Sequence, residues 1–191
     1  MAKQRTGRHV RWHVWRVTGW GTACLLLALP LVAMRFTDEV AWTAGDFVFA
    51  ACLFGGIGGA FELAVRRSAN PWYRTGAAMA LATILLIIWI NAAVGIIGDE
   101  ENPLDLLYGC VILTIVAGAA GAGLHPAGMA RALAAAAVAQ AAIGAIATVA
   151  GRSEPPGPLG LMLLNGFFLA LLLCSALAFR SAARQDMIAN R

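Results

Sequence analysis

One carboxylate stands inside an apolar run of this chain: Glu62, four residues before Arg66. Cys52, Gly55, Gly59, Glu62 and Arg66 recur at spacings of three and four, so a helix places them on one face. An ionisable group at membrane depth is by default a candidate for cation or proton transport. A structural reading competes with it. Glu followed by Arg at i,i+4 is the favourable orientation for a helical ion pair. Gly55 and Gly59 also let a second helix approach closely, which would turn Glu62 toward a helix–helix seam.

The other apolar runs each hold a sparse polar residue near small ones. Asn91 precedes Gly95, Thr114 precedes Gly118 and Gly121, Gln140 precedes Gly144, and Asn165 lies in the last run. Two chemistries fit this pattern. One is a polar path or site for a small solute. The other is interhelical hydrogen bonding, worth on the order of 0.6 kcal/mol per contact in a membrane. Counting rise per residue, Asn91 and Asn165 each fall about 9 Å inside the outer ends of their helices, so they are expected to meet at one depth. One polar residue per helix is sparse for a hydrated path, which favours the bonding reading. Gly55, Gly59, Gly118, Gly121 and Gly144 are then helix-packing positions.

Other residue types give less. Asp99, Glu100, Glu101, Asn102 and Asp105 could offer several oxygens to Ca²⁺, which takes about six to eight. They lack a fixed calcium-loop spacing and read as a solvated acidic loop. Cys24, Cys52, Cys110 and Cys174 fall in four different runs without a C-x-x-C pair, and read as buried thiols packing as small apolar groups. His9, His13 and His125 are not placed to face one another across a bundle, as haem ligation would require. The chain has no phosphate-binding loop, zinc-protease pair, nucleophile elbow or dinucleotide fingerprint. No catalytic residue, metal or cofactor is expected, and the chain is not read as an enzyme.

The elements that must position these residues are written in the hydropathy. Of 191 residues, 60% are hydrophobic and 13% charged, which leaves no room for a soluble catalytic domain. Apolar runs cover residues 17–36, 46–65, 75–97, 106–124, 132–150 and 159–179, each near the ~20 residues needed to cross about 30 Å of hydrocarbon. Charge sorts between them. Lys3, Arg5, Arg8, Arg11, Arg16, Arg66, Arg67, Arg74, Arg131, Arg180, Arg184 and Arg191 share one side, leaving only Arg35 and Arg152 of the 14 basic residues on the other. Asp38, Glu39, Asp46, Asp99, Glu100, Glu101, Asp105 and Glu154 cluster opposite. Short-loop Lys/Arg bias marks the cytoplasmic face. The expected fold is an all-α transmembrane bundle of six spans with both termini cytoplasmic.

Three segments follow: a basic aromatic arm over residues 1–16, a six-helix domain over 17–179, and a short basic tail over 180–191. In the arm, Arg8, Arg11, Trp12, Trp15 and Arg16 suit a membrane-surface anchor on anionic lipid better than a nucleic-acid contact. The first run resembles a signal peptide but lacks a small-x-small site, and is read as a retained anchor with a bend at Pro30. Asn70-Pro71, Asn102-Pro103 and His125-Pro126 read as helix starts. The Ala-rich fifth run is the weakest candidate to cross, yet omitting it would put Arg180, Arg184 and Arg191 on the wrong side.

Four runs carry a resemblance: MRFTDEVAWTAGDFVFA, FELAVRRSANPWYRTGAAMALA, WINAAVGIIGDEENPLDLLYG and GMARALAAAAVAQA. Over residues 31–142 the chain resembles an uncharacterised group of small bacterial polytopic inner-membrane proteins. The resemblance implies a bacterial cytoplasmic membrane and brings no activity or site. The expected function is that of an accessory packing subunit, associating with other membrane subunits or with itself. Two alternatives are a small-solute or cation transporter using Glu62, and a sensor acting through the basic arm.

Overall fold

The computed structural model describes residues 19–37, 40–98, 102–153 and 155–189. Among these residues there is helix and turn but no strand. The helices are α1 (Gly19–Ala33), α2 (Ala44–Arg67), α3 (Pro71–Ala93), α4 (Tyr108–Gly121), α5 (Pro126–Ala150) and α6 (Gly157–Ala189). A 3-10 turn, Pro103–Leu107, leads into α4. Five segments are long and apolar enough to cross a membrane: α2, α3, α4 with its leading turn, α5 and α6. In the described residues α1 is shorter than a full crossing. The all-helical, multi-span architecture therefore rests on five helices.

The helix starts follow from local chemistry. Asn70 Oδ1 accepts the Trp72 N–H at 3.0 Å, with Pro71 in the first turn where its missing N–H costs nothing. Asn102 Oδ1 does the same for Leu104 at 3.0 Å. Helix α5 opens at His125-Pro126 without a side-chain cap. Before α2, the Thr43 N–H and hydroxyl both donate to Asp46 Oδ2, at 2.7 and 2.9 Å. The Ala-rich α5, the weakest span by sequence, holds the largest buried share of any candidate span.

Two helix ends differ from the expected runs. Helix α3 stops at Ala93, and the chain turns through Gly95 and Gly98 at φ +73° and +81°, a region glycine enters without strain. Helix α6 continues past residue 179 to Ala189, so most of the expected tail extends the helix. At ~1.5 Å per residue its 33 residues span about 50 Å, well over the hydrocarbon thickness.

The chain divides into two compact units, Met1–Ala60 and Phe61–Arg191. In the first, Trp20 near the start of α1 lies against Gly58 near the end of α2, where an added Cβ would stand 3.1 Å from the indole. The two helices therefore pack antiparallel. In the second unit α5 lies between α4 and α6, and α3 packs on α6. Small residues set these seams. Gly118 meets Ala132, Gly128 meets Ala122, and Gly144 meets Asn165. Without a hydrophobic driving force between helices in lipid, such close approach is what van der Waals attraction requires.

The second unit has two chemically distinct ends. At one, Arg74 donates to the carbonyls of Ser68 and Val65, at 2.9 and 3.1 Å, and ties α3 to the end of α2. Tyr73 Oη donates to the Leu124 carbonyl at 2.9 Å, and Asn70 Nδ2 donates to Asp186 at 3.3 Å. Arg66, Arg67, Arg180 and Arg184 belong to this end by helix alternation. At the other end the Gly98 N–H donates to the Pro155 carbonyl at 3.0 Å.

Candidate functional site

Three helices of the second unit meet at one buried polar cluster. Its geometry can be built from a single fixed point. The Leu161 carbonyl can only accept, so Asn165, four residues on, must turn Nδ2 toward it, at 2.8 Å. That orientation presents Asn165 Oδ1 to the neighbouring helices. Gln140 Nε2 of α5 donates to it at 2.8 Å and Tyr108 Oη of α4 at 2.9 Å. Because Gln140 must offer its nitrogen here, its Oε1 lies on the far side of the amide. No donor among the described residues reaches that oxygen. Tyr108 and Gln140 are fully buried and Asn165 nearly so. Gly144, one turn beyond Gln140, makes room: a Cβ there would stand 2.9 Å from Asn165 Cβ.

Gln140, Asn165 and Gly144, singled out by sequence, are thus brought together. Tyr108 was not singled out. Its signal lies in the spacing of Tyr108, Val111 and Ile115, three buried residues at helical intervals. Asn91 sits two residues from the end of α3, about 3 Å of rise. The expected 9 Å depth fails because α3 stops at Ala93, short of residue 97. The Asn91 amide donates to the Ile87 carbonyl of its own helix at 2.8 Å, and its Oδ1 meets no donor among the described residues. Thr114 likewise bonds within its helix, to the Cys110 carbonyl at 2.7 Å.

Glu62 and Arg66 pair at 2.7 Å through Glu62 Oε1 and an Arg66 amino group. The carboxylate side chain is 14% exposed and the guanidinium 64%. Gly118 and Gly144 each lie at a tight interhelical approach, while Gly121 has open space around its Cβ position. Within its own unit nothing described comes within 4 Å of the Cβ positions of Gly55 and Gly59. Arg8, Arg11, Trp12, Trp15 and Arg16 lie outside the described residues, as do Asp99, Glu100 and Glu101.

Two sequence readings change. Asp105 is no solvated loop acid. It is buried, and its two oxygens accept the backbone N–H groups of Ile96 and Ile97 at 2.9 and 3.0 Å. Asn102 Nδ2 closes the same loop on the Ile97 carbonyl at 2.7 Å. The four cysteines are exposed, not buried in the protein. Lipid chains solvate a small apolar thiol as well as a protein core does, so position within a span does not imply burial between helices. Among the described residues no group of three His, Cys, Asp or Glu could hold a metal ion. Comparison with protein-family models, curated proteins and solved structures finds no match.

Proposed function

We propose that this chain is a non-enzymatic packing subunit of a larger assembly in a bacterial cytoplasmic membrane. Its several long apolar helices suit an integral membrane protein. The observation that carries the reading is the engagement of its intramembrane polar groups. Asn165 draws in Gln140 and Tyr108, and Ser175 Oγ donates to the Gly76 carbonyl at 2.7 Å. These bonds join helices to one another and are closed off from solvent. Purification of the full-length protein in mild detergent, followed by mass analysis of its partners, tests the proposal. Stoichiometric membrane partners or a defined homo-oligomer are expected. A monomer without partners that carries measurable flux in liposomes overturns it.

A second reading, transport of a small solute or cation through Glu62, is favoured by the low exposure of that carboxylate beside Arg66. Glu62→Gln in liposomes should then abolish flux. In the packing reading Glu62→Gln only removes an ion pair whose Arg side is largely solvated, at a cost of about 0.5 kcal/mol or less.

A further inference from the structure

We propose that Gln140 Oε1 and the amide groups beside it form a buried binding site for a single water molecule, shared by α4, α5 and α6. The direction of the Gln140 amide is forced. Leu161 fixes Asn165, and Asn165 in turn fixes Gln140. Reversing Gln140 would set its oxygen against Asn165 Oδ1. The Oε1 atom therefore faces away from the cluster with both lone pairs unmatched, on a side chain that is 0% exposed. A buried acceptor left without a donor is costly, and a water donor supplies the missing bond. The cluster also has capacity to hold such a guest. Gln140 Nε2 and Asn165 Nδ2 each make one hydrogen bond and keep a second N–H.

The chemistry of the site selects its occupant. Tyr108, Gln140 and Asn165 carry no ionised group, so a charged ligand would sit uncompensated in an apolar interior. The occupant is neutral and must donate. It is also small, because the surrounding wall is tight: Ala136, Ala137 and Ala147 are buried along α5, and Gly144 stands against Asn165. Water meets all three conditions and forms about three bonds when buried.

Two measurements on the full-length protein in lipid nanodiscs test this. The first is thermal unfolding of Gln140→Met, which keeps volume and removes the amide. If a water holds Oε1, the variant loses that bond as well as the one to Asn165, and Tm falls by about 4 °C or more. If Oε1 is unsatisfied, removing it relieves a penalty, and an unchanged or raised Tm overturns the proposal. The second needs no variant. X-ray radiolysis in H₂¹⁸O generates hydroxyl radicals from bound water and marks the side chains that touch it. Labelling of the fully buried Tyr108 or Leu161 is expected. Their remaining unlabelled while exposed Trp72 is modified would equally overturn it.

Discussion

A Cβ built on Gly118 would fall on the Cβ of Ala132, so α4 and α5 touch at this level with no room for another atom. Neither residue sits at the end of a flexible side chain, and relief requires moving a helix. We expect Gly118→Val to cost about 1–3 kcal/mol through overpacking. Ala132→Gly alone should cost less, and combined with Gly118→Ala it should recover most of that variant's loss, because the two share one contact. Reversible unfolding in detergent gives the three values. Strict additivity of the pair would mean the seam is looser than the geometry states.

Asp105 holds the loop between α3 and α4 by accepting two backbone N–H groups that are otherwise buried. Hydrogen bonds to a carboxylate are worth more than neutral ones. Asp105→Ala is expected to destabilise the protein by about 2–4 kcal/mol, and Asp105→Asn, which keeps one acceptor oxygen, by roughly half as much. Limited proteolysis supplies an independent readout. The segment around Ile96 and Ile97, now 1% exposed each, should become the first cleaved. Equal resistance of wild type and Asp105→Ala would remove the carboxylate from this role.

These two contacts also show what the sequence disclosed. The helices were legible because about 20 apolar residues in a row admit few alternatives, and Asn-Pro pairs mark starts through their own side chains. Gly118 and Gly144 were legible as packing positions for the same local reason. Asp105 was not. A carboxylate four residues before the expected inner part of a span looks solvated until the turn at Gly95 and Gly98 folds Ile96 and Ile97 back onto it. Tyr108 was missed because its ring reads as apolar lining, whereas its hydroxyl matters only once Asn165, 57 residues away, is beside it. The end of α3 was missed because Val94, Ile96 and Ile97 continue the hydrophobic run after the helical backbone has stopped.

Within the polar cluster the three members are unequal. Asn165 Oδ1 serves two donors, Tyr108 Oη and Gln140 Nε2, so its loss strands both. Tyr108→Phe removes one donor and leaves Asn165 bonded to Gln140. We expect Asn165→Leu to cost about 2–3 kcal/mol more than nothing at all, and Tyr108→Phe only about 0.5–1 kcal/mol. In the Asn165→Leu background Tyr108→Phe should become neutral or stabilising, since it then deletes a stranded hydroxyl. A double-mutant cycle in detergent or nanodiscs checks the sign reversal. A Tyr108→Phe penalty that is the same in both backgrounds would show that the hydroxyl finds its partner elsewhere.

The seam between α3 and α6 combines a steric contact and a polar one, and their effects can be separated. Ser175 Oγ donates to the Gly76 carbonyl at 2.7 Å, while a Cβ on Gly76 would stand 2.8 Å from the ring of Phe179. Phe179 is fully buried and its ring meets Tyr73 edge-on, with centroids 5.1 Å apart at 89°. The ring therefore has no free space to turn into, and Tyr73 is itself tied to the Leu124 carbonyl. The hydroxyl bond is weaker by comparison, since the Gly76 carbonyl lies within α3 and interhelical bonds in membranes average about 0.6 kcal/mol. We expect Gly76→Ala to destabilise by about 1–3 kcal/mol and Ser175→Ala by less than about 1 kcal/mol. Gly76→Ala should also loosen the turn at Leu124, read as faster amide exchange there, while Ser175→Ala leaves that turn unchanged. Ser175→Ala proving the costlier of the two would place the strength of this seam in its hydrogen bond and not in its packing.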